Sequence, residues 1–239
     1  MSELASKPSA PNIFVPARAL AIGAHPDDVE FGCGATLAQW SAAGCEVSHL
    51  ICTDGSKGSW DPSADRAALV VTRQDEQRAA AAALGATGSC VFLDWVDGEL
   101  EAGLRQRWEV AYWIRKLRPD IVLGHDPWKR WRLHPDHRAA GFLAVDGLVA
   151  ARDPHFFPEQ ELPHHRPSAL WLFEADEPDH VEDVTGFVDA KVDALLAHRS
   201  QWRSTHHIEG PDDVERFRRA VHAEAAAAGG EAFRRIVTE

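Results

Sequence analysis

Two short motifs in this chain bring together side chains that could bind a metal ion and transfer protons. The first, "AHPDD", places His25, Asp27 and Asp28 in a single turn. Neighbouring carboxylates repel each other and are costly to bury without a partner, so a metal ion would account for their convergence with an imidazole. The second, "HPDH", places His134 and His137 three residues apart, which lets both rings face one site. Catalytic zinc sites typically use three nitrogen or oxygen ligands and leave a fourth position for water.

Several of the histidines and acids also have simpler explanations. An isolated HPDD could cap a helix, because Asp is a favoured N-cap residue, although the presence of HPDH favours the metal site. We expect the pairs His164–His165 and His206–His207 to lie in surface loops. His198 falls on a predicted helix. It could lie behind the metal site, or equally in the core or at the surface.

The segments around the two motifs alternate between short apolar strands and longer helices. We predict strands over residues 19–24, 45–53, 89–95, 121–126, 168–175 and 231–237. We predict helices over residues 32–44, 66–86, 104–120, 137–151, 188–202 and 212–228. This alternation is typical of a Rossmann-like α/β fold, in which helices cover both faces of a mostly parallel sheet. Ligands bind at the carboxyl ends of the strands in such folds, and AHPDD follows the first predicted strand directly.

The composition limits the classes of protein to be considered. A net charge of −12 over 239 residues argues against nonspecific nucleic-acid binding. No apolar run reaches the length of a membrane span, and the first residues lack a secretory pattern. The four cysteines lack CxxC spacing, so we expect reduced core thiols in a cytoplasmic protein. We expect a flexible tail over residues 1–16 and one domain over 17–239, with a homo-oligomer left open.

The motifs together resemble one known family. "AHPDDVEFGCGATLA", "TRQDEQRAAAAALGA", "HPDH" and "HRSQW" are similar to the LmbE-like zinc deacetylases, which include the N-acetylglucosaminyl-phosphatidylinositol deacetylases. The likeness extends from about residue 19 to 237. It implies a Zn²⁺-dependent hydrolase that removes an N-acyl group, in the first instance N-acetyl, from an amino sugar or sugar conjugate. Some members of the family instead hydrate an unsaturated dicarboxylic acid, which is the alternative. A metal binder without catalysis would need neither Asp27 nor His134.

The resemblance implies a role for each matching position of the two motifs. It implies that His25, Asp28 and His137 bind zinc. Zinc would lower the pKa of its bound water and polarise a carbonyl group. The resemblance makes Asp27 the general base that accepts the proton of this water.

Four further positions receive roles from the resemblance. His134 would stabilise the oxyanion or act as the acid, and the carboxylate of Asp136 would orient it and favour its protonated form. Arg73 and Asp97 match positions that bind sugar hydroxyls. The alternatives are a solvated ion pair on a helix for Arg73 and a plain Asp-Gly turn for Asp97.

The loop "PWKRWRL", just before HPDH, departs from the family pattern. Some sugar deacetylases have a tyrosine where this chain has Arg132. Lys129, Arg130 and Arg132 form a local positive cluster, and Trp128 and Trp131 flank it. We expect a lid in which Arg132 helps to bind an anionic or ring-bearing group of the substrate. The alternative is a solvated basic loop that its tryptophans anchor.

Overall fold

A seven-stranded sheet forms the centre of the computed structural model, which describes residues 14–238. The strands β1 to β7 are Arg18–Gly23, Glu46–Thr53, Cys90–Trp95, Ile121–His125, Ala169–Phe173, His180–Glu182 and Glu231–Val237. The helices α1 to α6 are Asp28–Ala42, Arg66–Ala83, Leu104–Leu117, Pro135–Arg152, Val188–Ala197 and Pro211–Ala228. Two 3₁₀ turns occupy Pro158–Gln160 and Arg199–Gln201. Most of the tail expected over residues 1–16 lies outside the described residues.

The order of the strands is β3-β2-β1-β4-β5-β7-β6. The first five of these strands are parallel, whereas β7 runs antiparallel to both β5 and β6. The chain moves outward from β1 to β3 and then returns to the other side of β1 as β4. Such a reversal opens a crevice between the carboxyl ends of the two neighbouring strands. The Rossmann-like fold expected from the sequence is therefore confirmed, and its binding crevice lies beyond β1 and β4.

Both faces of the parallel sheet are buried. In β1, Leu20 and Ile22 pack into the core beneath α3 and α4, while Ala19 and Ala21 pack into the core beneath α1, α2 and α5. Alternate residues of a strand point to opposite faces. A strand that is covered on both sides therefore needs apolar residues throughout, which explains the continuous apolar runs of the sequence.

Both motifs lie at the starts of helices. The structure begins α1 at Asp28 and α4 at Pro135, earlier than the predicted starts at residues 32 and 137. Proline is tolerated in the first helical turn because its missing N–H has no partner there in any case. Because α1 and α4 both begin at the crevice, the positive ends of their dipoles point toward it and favour negative charge there.

The cysteines and the edge of the sheet complete the comparison with the sequence. All four cysteines are unpaired thiols, and Cys33, Cys45 and Cys52 are buried, as expected. The three-residue strand β6 was not predicted, and the predicted helix over residues 188–202 ends at Ala197. No helix between residues 14 and 238 is long and apolar enough to cross a membrane.

Candidate active site

A cavity of about 460 Å³ opens at the carboxyl ends of the parallel strands. Its wall includes every predicted site residue except Asp136 and Arg132. Phe31 and Trp60 give part of the wall an apolar surface, and the segment after α5 contributes Gln201. The topology of the sheet thus brings most of the predicted site into one crevice.

The ring of His25 is held between three carboxylates. Its Nε2 atom lies 3.1 Å from Asp136 Oδ2 and 3.3 Å from Asp97 Oδ1, and its Nδ1 lies 3.4 Å from Asp28 Oδ2. Burial disfavours the charged imidazole, but the three carboxylates outweigh burial and raise the pKa of His25 well above its ordinary value. A carboxylate on one ring nitrogen is the usual way in which proteins orient a metal-binding histidine toward its ion.

Asp28 is buried among imidazoles. Its Oδ1 lies 3.2 Å from His137 Nε2, and its Oδ2 lies 3.2 Å from His125 Nε2 and accepts the His25 backbone N–H at 2.7 Å. Burial alone would raise the pKa of this carboxyl, but His137 and His125 hold it well below its usual range. Asp28 therefore stays ionised and can serve as a ligand.

The described residues hold three groups whose ligand atoms lie within 4.8 Å of one another. These groups are His25, His134 and His137; Asp28, His125 and His137; and His25, Asp97 and Asp136. No single group contains all three predicted ligands, although Asp28 lies near both His25 and His137.

The orientations of the imidazole rings show which histidines can bind one ion together. The rings of His125 and His137 are stacked at an interplanar angle of 11°. The lone pair of an imidazole nitrogen lies in the plane of its ring, so stacked rings cannot both aim at one ion. His25 is tilted by 57° from His137, which allows their lone pairs to converge. With Asp28 between them, two imidazoles and a carboxylate are a donor set that fits a divalent metal ion such as zinc.

Asp27 lies beside these groups but belongs to none of them. It is the N-cap residue of α1 with φ 97°, and its side chain makes no capping hydrogen bond. The simpler explanation of HPDD as a cap therefore fails. Burial raises the pKa of Asp27 to about 6, although the guanidinium of Arg73 opposes this. The backbone turn thus separates two adjacent acids, one among the imidazoles and one apart from them.

The expected pairing of the Asp136 carboxylate with His134 is wrong. The carboxylate is buried, contacts His25, and accepts backbone N–H groups of Gly98 at 2.6 Å and Leu100 at 3.2 Å. His134 instead accepts the backbone N–H of Asp136 at Nδ1. The loop after β3 supplies the donors that hold this carboxylate on His25. Burial and neighbouring imidazoles lower the pKa of His134, so its protonated form is not favoured in the metal-free protein.

Arg73 and Asp97 both line the cavity. Arg73 is buried and donates from Nη1 to the Gly55 carbonyl at 3.0 Å and from Nη2 to the Pro26 carbonyl at 2.6 Å. The alternative of a solvated ion pair for Arg73 is therefore wrong. Asp97 accepts the Lys57 backbone N–H at 3.0 Å while it contacts His25, so it does more than form a turn.

Arg132 does not extend from a lid. Its side chain is 5% exposed, and its Nη1 donates to Glu174 Oε2 at 2.7 Å. Glu174 in turn lies 3.2 Å from His125 Nδ1. Trp131 is 90% exposed and does not anchor the loop, whereas Trp128, 56% exposed, packs edge-on against Phe142 at 5.9 Å between ring centroids. Because Arg132 pairs with Glu174, it does not form the centre of an extended basic lid, and Trp128 supplies the one tryptophan ring contact seen for this loop among the described residues.

Sequence reasoning missed His125 and Glu174 and misplaced His206. His125 is the last residue of β4 and Glu174 follows β5, so their places at the carboxyl ends of two neighbouring parallel strands were the available signal. His206 is buried against the rings of Phe31 and Phe217 rather than in a surface loop.

Comparison with known proteins finds a matching family and related deacetylases. The family model described as "PIG-L: GlcNAc-PI de-N-acetylase" matches residues 20–148. A diacetylchitobiose deacetylase of Thermococcus kodakarensis is 34% identical over 200 residues, which cover 82% of this chain and 72% of that protein. The structure of N,N'-diacetylchitobiose deacetylase from Pyrococcus horikoshii, complexed with its inhibitor, matches with a TM-score of 0.83 at 30% identity and covers 93% of this chain and 84% of that one.

A hydratase also shares the fold. The structure of 4-carboxy-2-hydroxymuconate hydratase from Pseudomonas putida KT2440 matches with a TM-score of 0.73 and covers 93% of this chain and 97% of that one. Its sequence identity is 21%, so this likeness concerns the fold alone.

Proposed function

The chain belongs to the PIG-L family of de-N-acetylases, which are amide hydrolases, and we propose that it removes an N-acetyl group from an amino sugar or amino-sugar conjugate. The observation that carries this proposal is the division of the two adjacent acids. Asp28 lies among imidazoles, and Asp27 lies beside them with a raised pKa. Hydrolysis of an amide by an activated water needs both a metal ligand and a separate base.

We propose zinc as the metal and His25, Asp28 and His137 as its protein ligands. Two imidazoles and one carboxylate are a frequent ligand set of catalytic zinc. When bound, zinc would acidify a water molecule and polarise the substrate carbonyl. The carboxylate of Asp136 would keep the Nδ1 side of His25 directed at the ion, because it occupies Nε2.

Asp27 would act as the general base. A base works best when its pKa lies near the working pH, and burial brings the pKa of Asp27 to about 6. Above that pH the carboxylate is ionised and can take a proton. Asp27 lies outside the metal-binding groups, and its Oδ2 lies 3.5 Å from Arg73 Nη2, which leaves Oδ1 for this step.

His134 would stabilise the developing oxyanion. Its Nδ1 accepts the Asp136 backbone N–H, so the ring proton of neutral His134 resides on Nε2. The Nε2–H group would then donate to the carbonyl oxygen as negative charge develops there. This arrangement fits the lowered pKa of His134, because the neutral ring already has the necessary donor.

The cavity suits a small molecule, since its 460 Å³ falls within the roughly 300–1,000 Å³ of typical ligand sites. Asp97 at the cavity wall would bind a sugar hydroxyl. Both Nη atoms of Arg73 donate to carbonyl oxygens, so Arg73 would brace the turn, and its place in the cavity wall is compatible with the sugar contact expected from the sequence. The unpaired cysteines support the expected cytoplasmic location, because free thiols are typical of reducing compartments.

A substrate panel on zinc-loaded protein tests the proposal. N-acetylglucosamine, its β-1,4-linked dimer and an N-acetylglucosaminyl inositol should release equal amounts of free amine and acetate. An unsaturated dicarboxylic acid serves as the competing substrate, followed by its loss of absorbance. Hydration of this acid without amine release from any N-acetyl compound would replace the deacetylase by a hydratase.

A further inference from the structure

The backbone of Asp27 adopts a conformation that is unfavourable for an isolated Asp residue. Its φ of 97° lies in the left-handed region, which side chains other than glycine rarely occupy. Such conformations persist only where the surroundings impose them, and they concentrate at functional sites. Some contact of the folded chain must therefore hold the peptide unit between Pro26 and Asp27.

Two side chains of α2 hold this peptide unit from both sides. Gln77 Oε1 accepts the Asp27 backbone N–H at 3.0 Å, and Arg73 Nη2 donates to the Pro26 carbonyl at 2.6 Å. Residues four apart lie on one face of a helix, so a single turn of α2 presents both groups. The N–H and the C=O of one peptide are thus both fixed by the same helix.

We propose that Gln77 is a positioning residue, which clamps the peptide before Asp27 together with Arg73 and thereby directs the Asp27 carboxylate into the cavity. The inference rests on the proposed role of Asp27 as base and adds a residue that the two motifs do not contain. Gln77 is fully buried and reaches Asp27 through its backbone N–H.

A buried acid fixes the orientation of the Gln77 amide. Gln77 Nε2 donates to Glu30 Oε1 at 2.7 Å, which leaves Oε1 of Gln77 to face Asp27. Glu30 is itself fully buried, with His198 Nε2 at 3.5 Å from its Oε2 and His49 Nδ1 at 3.7 Å from its Oε1. Glu30, Gln77, His49 and His198 thus form a buried cluster behind the base. This assigns His198 a place that the sequence left open.

The clamp is tested by Gln77→Ala, with Gln74→Ala as the matched control. Gln74 lies on the same helix but bonds to Asp94 at the exposed edge, away from the cavity. With the β-1,4-linked N-acetylglucosamine dimer as substrate, Gln77→Ala should lower kcat about 10²-fold, since small misplacements of reacting groups have effects of that size. KM and bound zinc should stay within twofold, and Gln74→Ala should match the wild type. A kcat of Gln77→Ala within twofold of wild type would overturn the clamp.

An exchange of hydrogen-bonding groups provides the rescue. Gln77→Glu alone places two carboxylates at hydrogen-bond distance and should lose activity as Gln77→Ala does. The double variant Gln77→Glu/Glu30→Gln restores one donor and one acceptor with an unchanged charge, so kcat should recover to within about tenfold of wild type. A double variant no better than Gln77→Glu would contradict the clamp, and it also carries the test where Gln77→Ala does not fold.

A crystal structure separates this inference from the proposed function. In Gln77→Ala, Asp27 should leave the left-handed region, whereas a φ that stays near that of the wild type would refute the clamp at any level of activity. Wild-type protein without amine release on the whole panel would refute the proposed function, and the φ of Asp27 in the variant would still decide the inference.

Discussion

The partner of the Asp136 carboxylate differs between the structure and the interpretation drawn from the sequence. In the structure it holds His25, and in the sequence-based interpretation it orients His134. Asp136→Asn should therefore weaken zinc binding if the geometry is right, and should mainly lower kcat if the sequence-based interpretation is right. The substitution keeps the size of the side chain and removes its charge.

The size of the effect of Asp136→Asn follows from the contacts of its carboxylate, whose two oxygens serve three donors. Oδ2 contacts His25 Nε2 and accepts the Gly98 N–H, and Oδ1 accepts the Leu100 N–H. An amide has one oxygen, so its better orientation keeps the first two contacts and sets its NH₂ group against Leu100. The unpaired buried donors should cost about 1–3 kcal/mol of folding free energy. Loss of the charge behind His25 should weaken zinc binding about 10–100-fold.

Competition with a chromogenic chelator measures the zinc Kd, and thermal unfolding of the metal-free protein measures stability. Asp146→Asn is the control, because Asp146 lies on the same helix and pairs with Arg107 away from the site. At saturating zinc, Asp136→Asn should keep kcat within about tenfold of wild type. A zinc Kd that matches the control, together with a large loss of kcat, would refute the assignment of Asp136 to His25.

Three further predictions concern the acids and histidines around the site. Asp27→Asn should keep zinc but lower kcat by about 10²–10⁴-fold, and wild-type kcat/KM should fall as pH drops through about 6, because the base becomes protonated; a flat acid limb would exclude Asp27 as the base. Because the pKa of Asp27 is raised in the folded state, the free energy of unfolding of the metal-free protein falls as pH rises from 4 to 6. At pH 7, Asp27→Asn should therefore be more stable than the wild type by up to about 3 kcal/mol and should unfold at a higher temperature. Burial lowers the pKa of His206 to about 4, so the unfolded chain takes up a proton first and stability falls between pH 6.5 and 4; His206→Phe should flatten this decline in acid melts, and an unchanged decline would contradict it.

The sequence predicts the fold well because both cores impose local patterns. Apolar runs such as β1 and β4 need no knowledge of their partners, and the predicted strands lie within two residues of the observed ones. β6 escapes prediction because three residues, His180–Glu182, are too few to show a period and depend on pairing with β7. The start of α1 was placed too late, at residue 32, which is next to a non-helical residue inside the observed helix, Cys33 with φ −153°.

The residues themselves pointed to the site only in the two consecutive motifs, and the family resemblance added Arg73 and Asp97, which also line the cavity. HPDD and HPDH can each be recognised as a short motif. They converge because β1 and β4, which precede them, are neighbours in the sheet. The partner of Asp136 depends on Gly98, which comes from the loop after β3, and the partner of Arg132 is Glu174, which follows β5. Such pairings join residues about 40 positions apart and are properties of the tertiary structure.

In the proposed mechanism, the two adjacent acids of one turn have different chemical roles. Asp28 starts a helix and meets imidazoles, which hold its pKa well below its usual range, while burial raises the pKa of Asp27 to about 6. Pairs of acids whose environments move their pKa values apart are typical of acid–base catalysis. The separation accompanies the positive φ of Asp27, and both polar groups of the preceding peptide are hydrogen-bonded. The contacts of Gln77 and Arg73 with this peptide are what the proposed division of tasks between the two carboxylates needs.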